Sequence, residues 1–113
     1  MKPKLRVLVV NHHRSQASGA VYCGRGSPLG NPFYIGPDGT RTQVIAKFET
    51  WLLALPRDSE PWVEIYRLAD ILIEQGTLIL SCSCKPAPCH VDVIARLVLQ
   101  TAREKRRRSH GTH

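Results

Sequence analysis

The spacing of apolar residues changes period several times along the chain, and each change marks an element. Residues 4–10, KLRVLVV, are β-branched and almost continuously apolar. That pattern predicts a strand buried on both faces, of the kind found in parallel sheets. The polar loop NHHRSQASG follows, and AVYC at 20–23 reads as a short second strand. The next seventeen residues, GRGSPLGNPFYIGPDGT, hold five Gly and three Pro. That density excludes a helix, and PDG marks a turn.

Helical spacing then begins. Thr40 and Gln43 fit a capping box, in which each side chain satisfies a free N–H of the first turn. Val44, Ile45, Phe48, Trp51, Leu52 and Leu55 form one apolar stripe, and Pro56 ends it. Ser59 is placed to cap a second helix with Pro61 in its first turn. Its buried face is Trp62, Ile65, Ala69 and Leu72, and Gly76 closes it. TLILSCSC, 77–84, predicts a further strand in a central, parallel position. A last helix runs from about Cys89 to about Arg106, with Val91, Ile94, Val98 and Thr101 on one face. Asp92 and Arg96 stand at the i, i+4 spacing that favours an ion pair.

This order predicts a small α/β domain, with about three helices covering a mainly parallel sheet. Ligands of such sheets sit at the carboxyl ends of the strands. The loops that start near Asn11, Cys23 and Cys84 would then share one edge.

Length and charge narrow the picture. A chain of 113 residues with 42% hydrophobic and 22% charged content reads as one globular domain, here residues 1–102. No apolar run approaches the roughly 20 residues of a membrane span, and LRVLVV is too short for a secretory core. The chain therefore reads as cytoplasmic, where four cysteines are thiols or ligands rather than structural disulfides. The net charge of +7 sits in the first third and in residues 103–113, which read as a flexible basic tail. Such a field favours anionic partners.

Two stretches carry candidate chemistry. In YCGRGSPLGNPF, 22–33, glycines allow close backbone approach and expose N–H groups that cradle an anion. Gly24 and Gly30 supply backbone, Arg25 a planar fork, and Ser27 and Asn31 neutral donors. The loop matches neither the P-loop nor the dinucleotide fingerprint. In SCSCKPAPCHVD, 81–92, three cysteines and a histidine fall close together. Cys82, Cys84, Cys89 and His90 are the right stock for a tetrahedral Zn²⁺ site, although C-x-C-x4-C-H is an unusual spacing. Cys23 is a substitute ligand if the second strand ends nearby. A second reading makes Cys89, at a helix start, a nucleophile with His90 or another histidine as base and Asp92 as its orienting group. A third leaves Cys82 in the core, with His90 and Asp92 serving the helix start alone.

Together the two stretches resemble the signature pair of a small family seen in bacteriophages and bacteria, domain of unknown function 4326. Its pattern is Y-x-G-R-x-S-x-L-G-N-P-F, a helix opening T-R-x-x-V-I, then C-x-C-x-P-x-x-C-H-x-D. Tyr22, Gly24, Arg25, Ser27, Leu29, Gly30, Asn31, Pro32 and Phe33 match the first part. Thr40, Arg41, Val44 and Ile45 match the second, and Cys82, Cys84, Pro86, Cys89, His90 and Asp92 the third. The resemblance covers residues 5 to about 100. Two positions depart from it: Ser83 stands where many members have an aromatic residue, and Val91 where they have Gly or Ala.

The family is similar to Rossmann-like nucleotide-binding domains, which implies a three-layer architecture and a nucleotide or nucleoside ligand. Arg25, the glycine-rich loop and Arg41 would then hold a phosphate. Cys84, Cys89, His90 and Asp92 would line the opposite wall, holding zinc or acting at a glycosidic or phosphate bond, with Asp92 as base or stabiliser. The alternative is a nucleic-acid-associated accessory protein without catalysis, in which the tail, Lys2, Lys4 and Arg6 contact phosphates.

Overall fold

The computed structural model describes residues 4–11, 13 and 19–111, with side chains to residue 108. Lys2 and most of the loop at 12–18 lie outside these described residues. The elements are β1 (Arg6–Asn11), β2 (Val21–Tyr22), α1 (Arg41–Ala54), α2 (Glu60–Gln75), β3 (Thr77–Cys82) and α3 (His90–Gly111). The three strands lie in the order β1-β3-β2, and both pairings are parallel. β3 is central, as its apolar run predicts. Because all three strands point the same way, their carboxyl ends meet on one edge.

β1 corrects the sequence reading. It is an edge strand, with Arg6 and Leu8 exposed, rather than a strand buried on both faces. The register explains the pattern. Val9 pairs with Leu80, and Leu80 with Val21, so these three share a face that packs in the core. Leu8, Ile79 and Tyr22 lie on the other face, where Leu8 is 41% and Tyr22 43% exposed. α3 packs against both α1 and α2, and α2 and α3 also contact the sheet. The α/β class, parallel sheet and three helices are as expected.

α1 begins with the predicted capping box: Thr40 Oγ1 accepts from the Gln43 N–H at 3.2 Å, and Gln43 Oε1 accepts from the Thr40 N–H at 2.9 Å. Its stripe buries Val44, Phe48 and Leu52. The Trp62 indole N–H donates to the Leu52 carbonyl at 2.7 Å, fixing α2 against the end of α1. Ser59 occupies the N-cap position of α2 but its hydroxyl makes no capping bond, a departure from the sequence expectation. Gly76 closes α2 at a φ of 81°, in the left-handed region that favours glycine.

α3 differs in two ways. The segment expected as a flexible tail continues the helix to Gly111, although Ala102 is its last buried position. And Asp92 does not pair with Arg96. Asp92 meets Lys85 at 2.5 Å, while Arg96 reaches across to Glu49 on α1 at 2.6 Å. No helix among the described residues is long and apolar enough to cross a membrane.

Candidate functional site

The shared edge is assembled by hydrogen bonds that reach from one segment to another's backbone. At the end of β1, the Asn11 amide donates to the Lys85 carbonyl at 2.7 Å, tying β1 to the cysteine loop. At the end of β2, the Cys23 N–H donates to the Ser81 carbonyl at 2.9 Å. At the start of α1, Arg41 Nη1 donates to the Pro88 carbonyl at 3.1 Å. Within the cysteine loop the Lys85–Pro86 peptide is cis.

The glycine-rich loop folds into consecutive turns held from inside. The Ser27 hydroxyl donates to the Gly24 carbonyl at 2.6 Å, and the Gly30 N–H to the Ser27 carbonyl at 3.0 Å. The Gly30 requirement is steric, since a Cβ there would lie 2.8 Å from the Gly24 carbonyl oxygen. Arg25 braces the loop's far side. Its guanidinium donates to the Asn31 carbonyl and, at 2.9 Å, to the Phe33 carbonyl. It also stacks 3.9 Å from the centre of the Tyr34 ring. Asn31 is buried and accepts from the Phe33 N–H at 2.9 Å.

Between these parts lies a hollow offering about 80 Å³ to the centres of water-sized molecules. At roughly 10–15 Å³ per water, this admits one small group, with any larger remainder outside the mouth. Arg25, Arg41, Cys82, Cys84, Cys89 and His90 line it, with Ile35, Val44, Ile45 and Pro88 as its apolar wall. Among the described residues, two arginines line it and no carboxylate does.

The cysteine–histidine wall has a definite hydrogen-bond order. His90 Nε2 lies 2.8 Å from the Cys23 carbonyl oxygen, and Nδ1 lies 3.5 Å from Cys89 Sγ. Burial holds the His90 pKa below its ordinary value; the Cys23 carbonyl opposes this and the Arg25 charge adds to it. The Phe48 ring meets the imidazole edge-on, centroids 4.9 Å apart. Burial pushes the Cys89 thiol well above its ordinary value, against the pull of the Val91 N–H, and the neighbouring Cys82 thiol raises it further. Burial thus opposes the thiolate that the helix start favours.

The structure thus brings Gly24, Arg25, Asn31, Arg41, Cys82, Cys84, Cys89 and His90 to one hollow. Three expected residues do not line it. Ser27 and Gly30 are used in closing the loop. Asp92 accepts from the Cys89 N–H at 3.1 Å and pairs with Lys85, so it serves the helix start rather than orienting His90. That orienting place is taken by the Cys23 carbonyl. The Cys23 thiol is buried and pushed up to about 12, first by burial and then by Glu64. Among the described residues, no three His, Cys, Asp or Glu side chains are grouped to hold a metal ion. Of the four candidate ligands, His90 and Cys89 are in direct contact, through Nδ1 and Sγ. Sequence reasoning placed Val44 and Ile45 in the apolar stripe and the family pattern, and gave neither them nor Asn11 or Ile35 a place at the site. An apolar Ile35 just before a glycine-proline turn was the one available signal. Of the two departures from the family pattern, Ser83 lines the hollow, whereas Val91 is core.

The family model described as Domain of unknown function (DUF4326) matches residues 9–100, which span both motifs. The chain belongs to this family. It matches no curated protein and no solved structure. Membership joins the two motifs to one domain. The geometry above shows why they travel together: Cys23 follows β2 in the first motif, and its carbonyl receives the imidazole of the second.

Proposed function

We propose that this domain binds a nucleotide, with the phosphate toward Arg25 and Arg41 and the remainder against Ile35, Val44 and Ile45. The observation that carries this reading is two arginines, with no carboxylate among the described lining residues, at a hollow on the carboxyl edge of a parallel sheet. Arg41 spends one of its five N–H donors on Pro88 and keeps the others for a ligand. The hollow's size suits one phosphate or sugar within it and the rest of the nucleotide across its mouth. No carboxylate pair lines it, so glycosidic cleavage by two acids has no residues to carry it.

Thermal melting tests the reading. Mononucleotides at about a hundredfold excess over Kd raise stability by roughly 2.7 kcal/mol, a shift of several degrees. Arg41→Gln, which removes charge at an exposed bond, abolishes most of that shift. No shift at millimolar nucleotide, or an equal shift in the variant, overturns it.

A second reading is favoured by the exposed helical end of α3, where Arg103, Lys105, Arg107 and Arg108 follow the last buried residue. A preformed basic helix suits contact with nucleic-acid phosphates, with an affinity that falls steeply as salt rises. Retention on a DNA column at low salt, lost on removal of residues 103–113, tests it.

A further inference from the structure

Resting on the anionic-ligand reading of the same hollow, we propose that Cys89 is a nucleophile toward a small anionic electrophile, with His90 taking its proton and the Cys23 carbonyl positioning His90. The argument begins at Nε2. A carbonyl oxygen only accepts, so the nitrogen 2.8 Å from the Cys23 oxygen carries a hydrogen. In the neutral ring Nδ1 then holds the lone pair, and it faces Cys89 Sγ at 3.5 Å. Thiol, base and orienting acceptor stand in a row, with a backbone carbonyl in the place where a carboxylate commonly stands. Phe48 restrains the ring from the side. Both Cys89 and His90 open onto the hollow that Arg25 and Arg41 make attractive to anions.

The step balances without a further reactant. Sulfur forms a bond to the electrophilic carbon, the leaving group departs with its bonding electron pair, and the Sγ proton passes to Nδ1. The resulting imidazolium keeps its Nε2–H on the Cys23 carbonyl. Cys89 is buried, so it is slow toward reagents that do not enter the hollow. Cys84, half-buried on the same wall, is the competing thiol.

Alkylation of the full-length protein by iodoacetate and by iodoacetamide, mapped by peptide mass, tests this. The reagents are close in size and differ in charge. In the folded protein, the iodoacetate-to-iodoacetamide rate ratio at Cys89 is expected to exceed that in the urea-unfolded chain by on the order of tenfold. Arg41→Gln removes most of that excess. His90→Gln keeps an N–H for the Cys23 carbonyl but has no base, and it slows Cys89 toward both reagents about a hundredfold. Label on Cys84 with Cys89 untouched, a ratio equal to that of the unfolded chain, or an unchanged Cys89 rate in a folded His90→Gln protein each overturns the proposal. If His90→Gln does not fold, the charge ratio and its response to Arg41→Gln decide. Labelling of this kind without a nucleotide-dependent melting shift keeps the nucleophile and discards the nucleotide. The opposite pair of results does the reverse.

Discussion

The carboxyl edge of the sheet and the far end of α3 are both rich in polar residues, and they use them in opposite ways. At the edge, Asn11, Arg25, Ser27, Asn31, Arg41 and His90 each bond to a backbone group of this chain. The polar chemistry there builds a wall first, and what remains for a ligand is small. At the end of α3, charges meet other charges in exposed ion pairs, Lys105 with Asp70 and Arg108 with Glu104. Such pairs contribute about 0–1 kcal/mol each. The difference teaches that a dense motif is not a roll of ligand contacts. Residues are fixed at the edge because the backbone needs partners in a confined space. At the helix end they are free to change because water serves as well.

Perturbations of the edge therefore cost more than perturbations of the helix end. Phe48→Ala gives the largest expected effect, about 3–5 kcal/mol by denaturant unfolding. It empties a fully buried position and frees the imidazole at once. Gly30→Ala comes next, at roughly 1–3 kcal/mol, because its Cβ would meet the rigid Gly24 carbonyl. Acidity and alkalinity act on the same edge. His90 is held below its usual 6.5, so the stability it contributes is present above that value and lost as pH falls toward its folded value. Cys89 and Cys23 are raised from 9.0, so their contribution is complete below that value and lost as pH rises through and above it. Urea melts across pH should show a plateau between these limits, with a slope beyond each of at most about 1.4 kcal/mol per pH unit for each proton. Removal of residues 103–113 is the small counterpart, costing about 1 kcal/mol or less. A loss of several kcal/mol on that truncation would erase the contrast. Elemental analysis of untagged protein sharpens it from another side. About one equivalent of zinc would make the Cys82, Cys84, Cys89 and His90 wall a metal site, and less than about a tenth would leave it to hydrogen bonds alone.

Much of the fold was legible because period and punctuation agreed. Thr40 and Gln43 made their capping box, Gly76 closed α2, and the apolar run at 77–82 took the centre of the sheet. β1 misled because a β-branched run looks the same at an edge as at a centre. Neighbours decide that, and they lie about seventy positions away. The convergence of Arg25 and His90 followed from parallel strands alone. The roles within the site did not. Asp92 looked like a catalytic partner because it is near His90 in sequence, yet about half a helical turn carries it toward Lys85. The Cys23 carbonyl was invisible for a simple reason: backbone oxygens have no letter in a sequence.

The pairing of β1 with β3 has a kinetic consequence. Residues 6 and 77 must meet before Asn11 can hold Lys85, and that closure of a long chain segment carries its entropy cost before any wall of the hollow exists. Partly folded forms that keep only the local helices offer no receptor at all. A ligand of this hollow thus acts as a late inspector of the chain, rewarding only molecules whose two distant ends have already found each other.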